Sequence, residues 1–185
     1  MPALDTEKQE RLFIGVPISA AARGALSVQL TKPIPGKPVP AENWHFTLRF
    51  LGSTGIAARE KLVEALRPVQ FGPAFEIAFD SLGAFPNSGR ARVLWVGVGR
   101  GREKLEAIAD QVEAAVLRAG FEKEKRRFKA HLTIARVDPP HSVAPFIGRV
   151  GRIDVKMRVD HVVLYRSELG RPHSRYVEME TFSLK

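Results

Sequence analysis

Two stretches of the sequence decide the fold: NWHFTLRFLG at residues 43–52 and AHLTIARV at residues 130–137. Each stretch places a histidine, followed two positions later by a threonine, inside an apolar run typical of a buried β-strand. Alternate side chains of a strand point to the same face, so the histidine and the threonine share one face and the apolar residues share the other. The sequence therefore predicts two strands that are each polar on one side and apolar on the other.

The polar faces of these strands carry the candidate site residues. Strict alternation assigns to them His45, Thr47 and Arg49 in the first strand, and His131 and Thr133 in the second. Arg136 falls on the apolar side by the same rule, and reaches the polar side only past a bulge or at the strand end. The apolar faces are expected to pack under helices, which leaves the polar faces to line a wet groove.

The order of segments around the two stretches repeats. LFIGV at residues 12–16 and LWVGV at residues 94–98 match at an offset of 82, and each is followed by a predicted helix and then by a histidine strand, at an offset of 86. With repeat strands 12–16/94–98 and 43–50/130–136, the pattern predicts an internal duplication within a single two-lobed domain of residues 1–185. Two symmetric sheets that face each other would bring both histidines to a central groove.

Periodicity, glycine and proline predict the other elements. Helices are expected near residues 20–30, 57–67, 102–119 and 142–148, and further strands near residues 74–82, 93–98, 153–166 and 175–183. Four prolines between residues 31 and 40 predict an extended surface loop, and Asp-Pro-Pro at 138–140 is expected to break the second histidine strand. We interpret GVGRG at 97–101 as a strand-to-helix turn rather than a dinucleotide-binding fingerprint.

Composition limits the classes of protein. The 185 residues are 44% hydrophobic and 26% charged, as in globular proteins, and no apolar run approaches the ~18 residues of a membrane span. Without cysteine there is no disulfide, no thiolate nucleophile and no cysteine-bound zinc. The N-terminus lacks the apolar core of a signal peptide, so we expect a cytoplasmic protein. The net charge of +9, with 19 Arg among 29 basic residues, suits a polyanionic partner, but solubility or genome composition explains it equally well.

A pair of histidines suits proton transfer near neutral pH. Imidazole titrates near pH 6.5, so one neutral ring can accept a proton from water while a second, protonated ring gives one to a leaving oxygen. In-line displacement at a phosphodiester needs the acid and the base on opposite sides of phosphorus, and two facing lobes supply one histidine each. The threonine hydroxyls then donate hydrogen bonds to the phosphate oxygens. This chemistry requires no metal ion and no other cofactor.

Other uses of the two histidines fit less well or stay open. A zinc site lacks a carboxylate at ligand spacing on these strands, and a Ser-His-Asp site lacks a nucleophile-elbow sequence. A lone histidine in a strand is more often a structural residue than a catalyst. Because a duplication would copy a structural histidine as well, that alternative remains.

Several motifs carry a resemblance to a known family: RLFIGVPI near the start, NWHFTLRFLG, GAFP followed by VLWVGV, AHLTIAR, and LYRSELG at residues 164–170. The chain resembles the two-histidine phosphoesterase superfamily, most closely the bacterial RNA 2′,3′-cyclic phosphodiesterases, first described as 2′-5′ RNA ligases. The resemblance implies a bilobal α+β fold with two mostly antiparallel sheets facing a central groove and helices on the outer faces. It also implies hydrolysis of a terminal 2′,3′-cyclic phosphate to a 2′-phosphate, with 2′-5′ joining of RNA ends as the reverse reaction.

The resemblance also assigns roles to single residues. His45 is expected to be the proton donor to the leaving 3′ oxygen, His131 the proton acceptor that activates water, and Thr47 and Thr133 are expected to hold the phosphate. Further substrate contacts are expected at Arg49, Arg136, Tyr165, Arg166 and Ser167. For each arginine a surface or structural role is an equal alternative. Ala130 stands where the family often has proline, a departure that removes no catalytic group.

Two other functions stay open from the sequence. One is a sister phosphodiesterase that acts on a small nucleoside 2′,3′-cyclic phosphate or on ADP-ribose cyclic phosphate. The other is a non-catalytic RNA-binding protein, against which the two intact His-x-Thr pairs argue, because a binder needs no acid and base. The expected partner is RNA with a 2′,3′-cyclic phosphate end, and the protein is expected to act as a monomer away from membranes.

Overall fold

The computed structural model describes residues 9–31, 33–170 and 173–185 and confirms an α+β fold. Residues 1–8, on which the expected lack of a signal peptide largely rests, lie outside the described residues. The helices and strands of the described residues are, in chain order, β1 (Glu10–Pro17), α1 (Ala20–Gln29), β2 (Lys37–Pro38), β3 (His45–Thr54), α2 (Ile56–Leu66), β4 (Phe75–Phe85), β5 (Ala91–Val98), α3 (Arg102–Arg118), β6 (His131–His141), α4 (Ala144–Val150), β7 (Val155–Val159), β8 (His161–Glu168) and β9 (Arg175–Ser183). None of these helices is long and apolar enough to cross a membrane.

Local signals place the helices close to their predicted bounds. The hydroxyl of Ser19 accepts a hydrogen bond from the backbone N–H of Ala22 at 3.3 Å and caps α1. The buried apolar side chains of α3 recur at spacings of three and four: Leu105, Ile108, Val112 and Val116. Gly120 follows α3 with a φ of +90°, a conformation that residues with a side chain rarely adopt.

All described strands belong to one antiparallel sheet rather than to the two sheets expected from the sequence. The strand order is β7-β4-β5-β6-β3-β1-β8-β9, and β2 pairs with β6. This order is symmetric about its centre, because β5 and β6 with α3 between them correspond to β1 and β3 with α1 between them. The two halves are joined where the histidine strands meet, through the pairing of Phe46 with Leu132.

The sequence match between LFIGV and LWVGV is displaced by two residues in the register of the sheet. The matching glycines of LFIGV and LWVGV are not structurally equivalent, since Gly15 pairs with Thr47 while Gly97 pairs with His131. A shift of two residues leaves every side chain on its original face of the sheet. The sequence match therefore predicts the faces of β1 and β5 correctly but not their register.

Three other details differ from the sequence-based expectations. Asp-Pro-Pro at 138–140 does not end the strand, because β6 continues to His141, which pairs with Ala91 beyond a shift in register. The single strand expected at 153–166 is two strands, β7 and β8, at different places in the sheet. The proline-rich loop contains β2, which pairs with β6.

The main core lies between the sheet and the helices. Phe46 is fully buried there and stacks on Phe79 with ring centroids 5.8 Å apart. Burial of such a side chain contributes about 1.5–3 kcal/mol to the free energy of folding. A smaller apolar cluster lies on the opposite face of β1 and β8 and consists of Phe13, Val163 and Tyr165, with Tyr176 packed against it.

Candidate active site

The two histidine strands place four polar side chains on one face of the sheet. Phe46 and Leu132, which pair where β3 meets β6, are fully buried on the helix side. The side chains next to them along each strand point to the other face and are half-buried: His45, Thr47, His131 and Thr133. We call this the histidine face. Since the strands run in opposite directions and Phe46 pairs with Leu132, His45 lies opposite Thr133 and Thr47 lies opposite His131.

The imidazole of His45 is held by two hydrogen bonds. Its Nδ1 lies 2.7 Å from the carbonyl oxygen of Asn43, and its Nε2 lies 2.9 Å from Oγ1 of Thr47. Because a carbonyl can only accept, Nδ1 carries the proton, and in the neutral ring Nε2 accepts from the Thr47 hydroxyl. The ring also contacts Phe13 and Tyr176, with centroids 4.7 and 5.2 Å away.

The imidazole of His131 has the same orientation and tautomer. Its Nδ1 lies 2.7 Å from the carbonyl oxygen of Lys129, so Nδ1 again carries the proton. Its ring contacts Phe85 at 5.1 Å and Trp95 at 6.3 Å between centroids. Among the described residues Nε2 of His131 has no hydrogen-bond partner. In both histidines Nε2 is thus the nitrogen available for proton transfer.

The pKa values of the two histidines are lowered from their ordinary 6.5. For His45 the main cause is burial; the hydrogen bond to Asn43 opposes it, and the charge of His131 adds to it. For His131 burial again comes first, the Lys129 carbonyl opposes it, and the charges of Arg136 and Lys129 lower the pKa further. A proton on one ring disfavours a proton on the other. The charge of His131 thus adds to burial in favouring the neutral form of His45.

Each histidine strand contains a β-bulge three residues after its histidine. In the first half Thr47 and Arg49 face consecutive residues of β1, which leaves Leu48 as the extra residue. In the second half Ile134 is the extra residue in the same way. A bulge reverses the alternation of the residues that follow it, up to the next bulge. Arg136 therefore lies on the histidine face, as the bulge alternative required, and lowers the pKa of His131 from there.

The prediction that Arg49 shares the face of His45 is wrong, because the bulge at Leu48 turns Arg49 to the helix side. There its Nε donates to Glu113 of α3 at 2.8 Å, and Nη1 lies 3.3 Å from Glu124. A further guanidinium nitrogen donates to the backbone carbonyl of Glu122. These contacts make Arg49 a structural link between β3 and the segment that follows α3.

The LYRSELG motif is divided between the two faces of the sheet. Tyr165 pairs with Phe13 and stacks on it at 4.9 Å on the histidine face, where burial raises the pKa of its hydroxyl. Ser167 alternates with Tyr165 onto the same face. Arg166 lies on the helix side, where it pairs with the buried carboxylate of Glu10 at 3.1 Å, and its expected contact with substrate stays a prediction.

Strict alternation from His45 predicts that Phe50 lies on the apolar face, and this prediction is wrong. Phe50 pairs with Phe13 beyond the bulge, so it lies on the histidine face, with its ring 5.9 Å from that of Phe13. It is 60% exposed, which is unusual for a phenylalanine. The repeat offset of 86 makes Phe50 the counterpart of Arg136. A bulge considered for the second strand, if assumed for the first strand as well, would have placed Phe50 on the histidine face.

In the described part of the chain, no three His, Asp or Glu side chains lie close enough to hold a metal ion. The resemblance to two-histidine phosphoesterases implies one His-x-Thr strand in each half of the fold, and β3 and β6 are these strands. The chain belongs to the 2′-5′ RNA ligase superfamily, whose sequence profile matches residues 28–171.

Individual relatives cover most of the chain. A protein from Aeropyrum pernix named RNA 2′,3′-cyclic phosphodiesterase is 42% identical over 142 residues, which are 75% of this chain and 80% of that protein. A protein of the same name from Escherichia coli strain K12 is 28% identical over 178 residues, which are 95% and 97% of the two chains. The crystal structure of E. coli LigT complexed with 3′-AMP superposes with a TM-score of 0.76 at 25% identity, over 96% of this chain and 99% of that chain.

Proposed function

We propose that this protein hydrolyses the terminal 2′,3′-cyclic phosphate of RNA to a 2′-phosphate by metal-independent acid–base catalysis. The observation that carries the proposal is the pair of histidines on one face, in the same tautomer, each with its Nδ1 held by a backbone carbonyl. The names of the relatives in A. pernix and E. coli support the substrate. An acid and a base contributed by the two halves suit in-line displacement at phosphorus.

In the proposed reaction, neutral His131 accepts a proton from water through Nε2 as the water oxygen forms a bond to phosphorus. The bond from phosphorus to the 3′ oxygen breaks, and Nε2 of protonated His45 donates its proton to that oxygen. Burial and nearby positive charge favour the neutral form of both rings in the free protein, so the assignment of His131 as the base and His45 as the acid follows the family resemblance. The anionic substrate in turn favours the charged form of His45.

The threonines and Arg136 are proposed to hold the phosphate. Thr133 Oγ1 donates to a non-bridging oxygen, and the Thr47 hydroxyl, which bonds His45 in the free protein, turns to the phosphate once that ring is protonated. Arg136 attracts the anion from the side of His131. With the 5′ hydroxyl of a second RNA strand in place of water, the same steps join two ends through a 2′-5′ bond.

The aromatic side of the histidine face is proposed to receive the terminal base. Phe50 is exposed there over Phe13, and base–aromatic stacking is the usual way in which proteins hold unpaired RNA bases. The proposal treats residues 1–185 as one duplicated domain that acts as a cytoplasmic monomer. Support for the duplication comes from the repeated order of elements and from the matching bulges at Leu48 and Ile134.

The test is hydrolysis of a short RNA that ends in a 2′,3′-cyclic phosphate, in the presence of EDTA, by wild type, His45→Ala and His131→Ala. We expect a 2′-phosphate from wild type and a loss of about 10²-fold or more in each variant. The matched control is His161→Ala, because His161 pairs with Asp160 at the start of β8. Full activity in either catalytic variant, or an inactive wild type, would contradict the proposal and favour an RNA-binding role. Equal turnover of a cyclic mononucleotide would favour a small-molecule substrate.

A further inference from the structure

Lys37 and Arg136 form a like-charge pair on the histidine face. Lys37 lies in β2 directly opposite Arg136 of β6, and directly opposed residues of an antiparallel pair project from the same face. Their Cβ atoms are then about 4.5–5.5 Å apart, a separation at which like charges destabilise a sheet. Neither side chain has a carboxylate within ion-pair distance among the described residues. The repulsion between them is therefore uncompensated.

The loop that carries Lys37 is fixed against β6. The backbone N–H of Val39 donates to the carbonyl oxygen of Ile134 at 2.8 Å. Gly36 has a φ of +78° and lies so close to β6 that a Cβ at this position would collide with the backbone carbonyl of Arg136. The backbone, rather than an attraction between side chains, thus holds Lys37 beside Arg136.

The pair lies within reach of the histidines. Arg136 projects onto the histidine face beyond the bulge at Ile134, and its charge acts on His131. In an RNA strand that ends in a 2′,3′-cyclic phosphate, the 2′ and 3′ oxygens of the last ribose are both occupied. Any further phosphate on that nucleotide must therefore be attached to its 5′ oxygen.

We propose that Lys37, with Arg136, binds the phosphate on the 5′ oxygen of the terminal nucleotide, so that the enzyme prefers RNA ends to unphosphorylated cyclic mononucleotides. This inference rests on the proposed function. An anion between the two side chains replaces their repulsion with charge-assisted hydrogen bonds, and the five N–H donors of Arg136 serve two phosphates at once. The same chemistry accepts an internucleotide phosphate or a free 5′-phosphate.

Three substrates test the proposal: adenosine 2′,3′-cyclic phosphate, the same compound with a 5′-phosphate, and the dinucleotide ApA with a 2′,3′-cyclic phosphate. In wild type we expect kcat/KM for both phosphorylated substrates to exceed that of the first by about 3- to 10-fold. In Lys37→Gln this ratio should fall close to one. The control Lys156→Gln removes an exposed lysine of β7 at the edge of the sheet and should keep the wild-type ratio.

A ratio near one in wild type, or an unchanged ratio in Lys37→Gln, would overturn the phosphate subsite while the proposed function stands. A gain with the dinucleotide alone would assign the preference to the added nucleoside and would also overturn it. If wild type hydrolyses none of the three substrates, the proposed function fails and the subsite fails with it.

A second variant separates binding from folding. Lys37→Glu places a carboxylate opposite Arg136, so the pair becomes attractive, and we expect Tm to rise by about 1–4 °C. The preference for 5′-phosphorylated substrates should disappear in the same variant. A lower Tm, or a retained preference for 5′-phosphorylated substrates, would contradict the proposal that Lys37 and Arg136 repel each other and bind a phosphate between them.

Discussion

The two catalytic candidates have the same motif and tautomer but lie in unlike surroundings. His45 packs among aromatic rings whose centroids are 4.7 to 6.1 Å from its own: Phe13, Tyr165 and Tyr176. His131 contacts aromatic rings as well, but the charges of Lys129 and Arg136 act on it. One half of the site is therefore mainly apolar, whereas the other half is cationic.

The contrast is sharpest five residues after each histidine. Phe50 and Arg136 occupy corresponding positions, which matching bulges bring onto the histidine face. A symmetric scaffold thus supplies two equivalent imidazoles, while unequal neighbours distinguish them. On this view the cations favour a neutral base at His131 and attract phosphate, and the aromatic half receives the base of the nucleotide.

The largest effect on this contrast is expected from Arg136→Gln. Loss of the charge should lower kcat/KM for a cyclic-phosphate RNA by roughly 10²-fold, since charged donors at developing phosphate charge contribute effects of this size. It should also raise the pKa of His131, because a positive neighbour is removed. Steady-state hydrolysis across a pH series measures both effects.

The matched control for Arg136→Gln is Arg49→Gln, the other arginine of the histidine strands. Because Arg49 binds Glu113 on the helix side, this variant should lose about 1–3 kcal/mol of unfolding free energy, measured by urea denaturation, and keep its catalytic rate. Equal losses of rate in the two arginine variants would contradict the division of the sheet into two faces.

A smaller effect is expected from Phe50→Ala on the aromatic half. Loss of a stacking platform should raise KM for a cyclic-phosphate RNA by about tenfold and change kcat less, because the base is bound in both the ground state and the transition state. Val28→Ala is a suitable control, since Val28 is 80% exposed on α1. An unchanged KM in Phe50→Ala would remove the proposed base platform.

Local sequence signals predicted most of the elements and the four central residues of the site. Helix α3 followed from its apolar spacing and the glycine after it, and the His-x-Thr strands followed from alternation around an apolar run. Both signals depend on residues close in the chain. The pairing of β3 with β6 depends on long-range contacts that no single segment encodes, and through this pairing the expectation of two separate sheets is not confirmed.

The wrong faces predicted for Arg49 and Phe50 have one physical origin. Alternation holds only until a bulge adds a residue, and whether a strand has a bulge depends on its partner strand. Arg49 was predicted on the histidine face but lies on the helix side, and the reverse holds for Phe50. Arg136 lies on the histidine face, as expected if its strand contains a bulge. In the LYRSELG motif adjacent residues point to opposite faces, so Tyr165 and Arg166 lie on different sides of the sheet.

The pH dependence of kcat/KM for wild type is the most direct test of acid–base catalysis by the two histidines. Burial lowers the pKa of both rings, and the charge of His131 lowers that of His45 further. In the free protein both rings are therefore mostly neutral at pH 6.5, the ordinary pKa of imidazole. We expect a bell-shaped profile with its maximum below pH 6.5. The rate should fall on the alkaline side as the pair loses its proton, and on the acid side as both rings become protonated. A flat profile between roughly pH 5 and pH 8, or a maximum above about pH 7, would contradict the account.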